Sequence, residues 1–182
     1  MTPISAWRYF VWSSWSKPTN DRIVYKTIKK TKPGSLIEIG LGDGVRCERM
    51  MRVAQKFSDG GKVRYTGLDR FEGRDENETP LKLIEMHKQL NNFGAKAKLV
   101  PGDFSDGIER IANSHVRTDL VVIDCGEEHD SCPSWRFLPR MLHPNSVVIV
   151  LFQNNEYEIM NFLDVEKKAS ALSKPQKKQA AA

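Results

Sequence analysis

Residues Ser35-Leu36-Ile37-Glu38-Ile39-Gly40-Leu41-Gly42-Asp43-Gly44 join a short apolar run to three glycines on alternate positions. A strand entering such a turn with a helix behind it brings bare backbone close to whatever lies above, because no side chain intervenes. The helix follows at once: Val45, Met50, Val53, Ala54 and Phe57 fall near a 3.6-residue stripe that Ser58-Asp59-Gly60-Gly61 stops. Residues 63–69 have strand character, and 79–93 read as a helix with Thr79 as N-cap, Pro80 first and Gly94 just past the end. Residues 96–100 form a third strand and 106–114 a short helix, and 119–124 have the continuous apolar look of a strand buried on both faces. A helix over 134–142, a fifth strand over 146–152 and a last helix from about 157 to 173 complete the pattern. Strands alternating with helices require right-handed crossovers, so the expected fold class is α/β, a doubly wound and mostly parallel sheet.

With 182 residues the chain is the size of one domain. The division we expect is a leading aromatic and basic helical segment over 1–33, the α/β domain over 34–173 and a disordered basic tail over 174–182. In a doubly wound sheet the ligand lies across the carboxyl ends of the strands at the point where their order reverses. Glu38 to Gly44, Asp69, Asp103 and Asp124 all end strands on that one edge. Acids there face a crevice and can accept hydrogen bonds from hydroxyl and amino groups, although each alone could equally cap a helix.

The spacing separates two kinds of cofactor loop. A dinucleotide fingerprint G-x-G-x-x-G needs glycine at position 45, where this chain has Val45, which weakens a nicotinamide-dependent oxidoreductase. Glu38-Ile39-Gly40-Leu41-Gly42-Asp43-Gly44 instead resembles the E-x-G-x-G-x-G motif of class I S-adenosylmethionine-dependent methyltransferases, and the likeness extends over residues 34–153. The resemblance implies a Rossmann-like methyltransferase fold with S-adenosylmethionine as cofactor. It places Glu38, Gly40, Gly42 and Gly44 beneath the methionine part and ribose, Asp69 on the ribose hydroxyls, and Asp103 with Phe104 at the adenine. Asp124 would stand where the methyl group meets its acceptor, and residues 123–129 resemble the I-D-G-x-H segment of small-molecule methyltransferases, making Asp124 and His129 the catalytic candidates. Here the acid and the histidine stand further apart than in that segment.

Two departures from the family pattern bear on chemistry and fold. Catechol-type relatives hold a divalent metal with an aspartate-asparagine pair after strand five, whereas this chain has Phe152-Gln153-Asn154-Asn155, so we expect no metal. The family sheet closes with an antiparallel hairpin, but after Phe152 only a helical pattern and a lysine-rich tail remain. That predicts a sheet shortened to about five strands, its outer edge bare or covered by the last helix or by a second copy in a homodimer.

Cys47, Cys125 and Cys132 are an odd set in a chain large enough to fold without staples, so they are expected as reduced thiols. With no apolar run near membrane-spanning length and no secretory pattern at the start, the expected location is cytoplasmic, without a membrane partner. Of the net charge of +5, residues 1–36 carry +6 and 164–182 carry +3, leaving the middle at −4. The basicity thus sits in the leading segment and the tail rather than in the body of the domain, so a nucleic-acid substrate is not favoured and a small-molecule substrate is. The function expected is methyl transfer from S-adenosylmethionine to a small-molecule acceptor, oxygen before nitrogen. Its rivals are a catalytically inactive interaction module of the same fold and the oxidoreductase.

Overall fold

The computed structural model describes residues 4–58, 63–92, 96–124, 126 and 131–173. Two helices, α1 (Ala6–Trp15) and α2 (Asp21–Thr31), precede the first strand, β1 (Ser35–Ile39). Then follow α3 (Val45–Phe57), β2 (Arg64–Asp69), α4 (Leu83–Asn91), β3 (Lys96–Pro101), α5 (Phe104–Ala112) and β4 (Leu120–Ile123). A 3-10 turn (Pro133–Phe137) runs into the single turn α6 (Leu138–Met141), and β5 (Val147–Leu151), β6 (Tyr157–Asn161) and α7 (Phe162–Leu172) close the order. The sheet has six strands in the order β3-β2-β1-β4-β5-β6, parallel except for β6. This is the doubly wound, mostly parallel α/β fold, with the order reversing at β1.

The pleat divides each strand between two cores, because successive side chains point to opposite faces. Leu36, Tyr65, Leu120, Val122 and Ile149 pack under α2, α3 and α4, whereas Ile37, Ile39, Leu68, Val121 and Val148 pack under α5, α6 and α7. The leading segment belongs to the first layer. Val24, Tyr25 and Ile28 of α2 are fully buried there, and Tyr9 of α1 meets Phe57 edge-on with ring centroids 4.9 Å apart. Trp7, Phe10 and Trp15 stay on the solvent side of α1. Where the chain turns between the two helices it reaches the carboxyl edge of the sheet, with Asn20 Nδ2 donating to the Phe152 carbonyl at 3.0 Å and Asn155 Oδ1 accepting from the Thr19 amide at 3.1 Å.

The sequence and the structure part at four element boundaries. Residues 157–161, read as the start of the last helix, form β6, which pairs antiparallel with β5 and covers its outer edge. The sheet is therefore shortened but has six strands, and α7 begins only after Asn161, whose side chain caps it in a reciprocal box with Asp164. The helix expected from Thr79 starts at Leu83, because residues 80–82 are not helical, Lys82 is extended and the Leu83 amide is capped from upstream by Glu72 Oε1 at 3.0 Å. Asp103 caps α5 through the amides of Ser105 and Asp106, so that helix begins two residues ahead of the expected Asp106. The segment 134–142 splits into a 3-10 turn and one α turn, each carrying a proline at its start. Among the described residues no helix is long and apolar enough to cross a membrane, and the tail 174–182 lies outside them.

Candidate functional site

A cleft of about 570 Å³ opens over the carboxyl ends of β1, β2 and β4, where the strand order reverses. Its floor is the glycine loop. Gly42 has φ +58°, and a Cβ added to it would meet nothing within 4 Å, so its open side faces the cleft. Gly44, at φ +81°, serves packing instead, since a Cβ there would stand 2.6 Å from Met86 Sδ; this glycine lets α4 close onto the start of α3. Gly40 and Gly42 line the cleft and Gly44 does not.

Glu38, expected among the cofactor-binding residues, points the other way. The pleat puts it on the face of Leu36, where its carboxylate is fully buried, accepts from Arg46 Nε at 2.7 Å and takes the Tyr65 hydroxyl at 2.6 Å. Arg46 lies at the centre of a buried cluster that the sequence reading missed. Its guanidinium also reaches Asp21 of α2 at 3.3 Å, Asp124 past the end of β4 at 2.5 Å and the Gly40 carbonyl at 2.6 Å. A cation in the first turn of a helix opposes the helix dipole and is retained only against stronger local charge. Burial pulls the Arg46 pKa down, but Glu38, Asp124 and Asp21 outweigh it and hold the guanidinium charged well beyond the usual arginine range. The same burial works against the acids: it pushes the carboxyls of Glu38 and Asp21 above their ordinary values despite the arginine beside them. A signal was available, since an acid at an inward position of a buried strand needs a partner, and Arg46 follows within a helical turn of the loop.

Asp69 stands where the sequence placed it, at the end of β2 and on the cleft wall. Its Oδ1 accepts from the Phe71 amide at 2.9 Å and Arg74 Nε at 2.7 Å, and its Oδ2 from the Leu41 amide at 2.8 Å and an Arg74 terminal nitrogen at 2.6 Å. Burial alone would raise this carboxyl, but the Arg74 bonds and the two amides lower its pKa below the usual value. Arg74, a second residue the sequence reading missed, also donates to the Thr79 carbonyl at 2.6 Å, and the segment it belongs to forms the outer wall of the cleft with Arg70, Asn77 and Glu78.

Asp103 both caps α5 and lines the cleft, and its pKa is lowered chiefly by the Ser105 hydroxyl and the Asp106 amide. Next to it Phe104 is buried against Trp135, ring centroids 5.5 Å apart, with an edge on the cleft. Asp124 closes the circle. One oxygen is tied to Arg46, yet its side chain keeps 31% of its exposure and borders the cleft beside Gln153. His129 and Cys125 lie outside the described residues. Asn154 and Asn155 are spent on the β5–β6 turn, accepting from the amides of Glu156 and Thr19. The structure thus brings Gly40, Gly42, Asp69, Asp103, Phe104 and Asp124 around one cleft, and it turns Glu38 and Gly44 to the support of its floor.

No protein-family model matches the chain, and no curated protein matches it in sequence. Solved structures do match in fold. A methyltransferase from Geobacter sulfurreducens superposes with a TM-score of 0.53 at 17% identity, over 74% of this chain and 60% of its own. An O-methyltransferase from Bacillus cereus, solved in complex with SAH, gives 0.55 at 16% identity, over 74% of this chain and 56% of its own. A putative O-methyltransferase from Klebsiella pneumoniae gives 0.51 at 17% identity, over 79% and 59%. The chain has the fold of the class I S-adenosylmethionine-dependent methyltransferases, and it spans less than two thirds of the length of these structures.

Proposed function

We propose that this chain is an S-adenosylmethionine-dependent methyltransferase acting on a small-molecule acceptor, an oxygen nucleophile before a nitrogen one. The observation that carries the reading is the cleft itself: a bare glycine floor at Gly40 and Gly42, carboxylates at Asp69, Asp103 and Asp124 around it, and Phe104 presenting an apolar edge. Its volume suits a small cofactor, and its place at the switch point is where ligands of such sheets bind. The structures superposing on this chain include an O-methyltransferase solved with SAH, which supports both the cofactor and the oxygen acceptor.

The cofactor supplies a methyl group already activated on a sulfonium, so the protein has to align, shield and deprotonate. Gly40 and Gly42 leave room for close backbone approach, and Phe104 offers a surface for a base next to Asp103. Asp124 takes the acceptor's hydroxyl as a hydrogen-bond partner, its orientation fixed from behind by Arg46. With His129 it is the group assigned to receive the acceptor's proton.

Calorimetry with S-adenosylmethionine and its demethylated product tests the cofactor, with micromolar binding by the intact chain as the expected result. Absence of binding to both would overturn the reading. Gly42→Ala puts a methyl group into the cleft without touching a protein neighbour, at a backbone cost of about 1–2 kcal/mol for the left-handed φ, and should abolish that binding while the chain still folds. Transfer of a labelled methyl group to a panel of hydroxyl and amine acceptors then tests turnover. A second reading, a binding module without turnover, draws on one observation: Asp124, the carboxylate assigned to the acceptor's proton, is already paired with the Arg46 guanidinium. Cofactor binding with no transfer to any acceptor would favour it.

A further inference from the structure

We propose that Arg74 is a displaceable latch that sets the affinity and selectivity of the cleft: a ligand carrying a vicinal diol enters by exchanging its two hydroxyls for the two N–H donors of Arg74 on Asp69. The inference rests on the reading of the cleft as the site of a ribose-bearing cofactor.

A carboxylate offers about four acceptor positions, and Asp69 has four donors in place. No position is left for a diol unless one pair of donors withdraws. The two pairs are not equivalent. The amides of Leu41 and Phe71 belong to the glycine loop and to the 3-10 turn after β2, so neither can leave without unmaking local backbone. The other pair belongs to one side chain on the exposed segment 72–80. That segment has few anchors: Arg74 on Asp69, and the Leu83 amide on Glu72. Arg70, just ahead of the segment, adds two ion pairs at the surface, to Asp75 at 3.2 Å and to Glu78 at 2.7 Å, which are weakly held because both partners are solvated.

The replacement is geometrically like for like, since the fork of a guanidinium and a pair of vicinal hydroxyls both present two parallel donors to one carboxylate. It is not energetically like for like. An ion pair is exchanged for two uncharged donors on the same carboxylate, so the closed latch subtracts from the ligand's affinity by the fraction of molecules whose site is open. Arg74, once released, also gives up the Thr79 carbonyl, and of the acids on its own segment Arg70 holds Asp75 and Glu78, which leaves the exposed Glu76 to receive it. Occupancy of the cleft and the position of its outer wall are thereby coupled through one ion pair.

Binding of S-adenosylhomocysteine, adenosine and 2′-deoxyadenosine to the intact chain and to Arg74→Ala tests the latch by calorimetry. The variant should bind S-adenosylhomocysteine and adenosine roughly tenfold more tightly than the unaltered protein, with no gain for 2′-deoxyadenosine, which lacks one hydroxyl of the pair. Arg74→Lys, which keeps the charge and loses the fork, should fall between the two and serves if the alanine variant does not fold. Equal or weaker binding of S-adenosylhomocysteine by the variants, with binding by the unaltered protein intact, overturns the latch and leaves the cofactor assignment standing. A gain of the same size for 2′-deoxyadenosine overturns the exchange with the diol. No binding of any adenosine compound by any of these proteins overturns latch and cofactor assignment together.

Discussion

Arg46, buried, and Arg74, half-buried, are both held by carboxylates, with side-chain exposures of 6% and 9%, yet they are wired differently. Arg46 gathers acids from three elements, Asp21 of α2, Glu38 of β1 and Asp124 beyond β4, so its partners are brought together only by the folded chain. Arg74 holds one acid, five residues away, from the rim of an open cleft. The first arrangement cannot be undone without exposing like charges to one another in the core. The second can be replaced by a ligand. Burial alone therefore does not distinguish scaffold from moving part; the number of elements converging on the cation does.

Removing each arginine should separate the two cases in a urea denaturation series. Arg46→Met leaves three carboxylates without their cation, and breaking such a buried pair costs about 3–5 kcal/mol. A loss below about 1 kcal/mol would erase the contrast between the two arginines. Tyr65→Phe tests the same cluster from its other side. It takes the hydroxyl donor from Oε2 of the fully buried Glu38 and should cost about 2 kcal/mol. Arg74→Met should cost only about 1 kcal/mol, because Asp69 keeps two backbone amides and borders a cleft that water can enter.

The smallest effect is one of sign. Burial raises Glu38 above its ordinary 4.5, so its stabilising share is complete below that value and is lost as pH rises through the raised folded pKa. Asp69 is lowered below 3.8 by Arg74 and the amides, against its burial, so its share is present above 3.8 and is lost as pH falls through the folded pKa. Unfolding free energies between pH 3 and 7 should therefore show the cost of Glu38→Gln shrinking as pH rises and the cost of Asp69→Asn growing. Parallel trends would show that the two clusters share one electrostatic environment.

Much of this arrangement is legible in the sequence. β1, β4 and β5 are largely apolar runs, β2 and β3 mix polar residues among apolar ones, and their alternation with helices leaves little choice of sheet. The cleft follows from it, and Asp69, Asp103, Phe104 and Asp124 all reach its wall. What escapes is whatever depends on partners distant in the chain. Residues 157–161 carry a pattern that runs on smoothly into α7, and only the bare edge of β5 makes a strand of them. Asn161 and Asp164 do mark where the helix starts. Glu38 reads as a cofactor ligand because it precedes the glycines, although the two-residue period already places it with Leu36, away from the cleft. Arg46 is signalled only indirectly, by the inward acid of β1 that must find a cation, and nothing in the irregular stretch 70–80 shows that Arg74 turns back onto Asp69.

The turn between α1 and α2 changes what counts as the smallest working unit of this molecule. Thr19 and Asn20 are fastened to the β5–β6 region, and Asp21 supplies one of the carboxylates on Arg46. A fragment cut at the first strand would keep every residue of the cleft and lose part of the charge balance beneath it. For expression or dissection, the protein starts functionally ahead of Thr19, and the aromatic helix before it belongs with the body that carries the cleft.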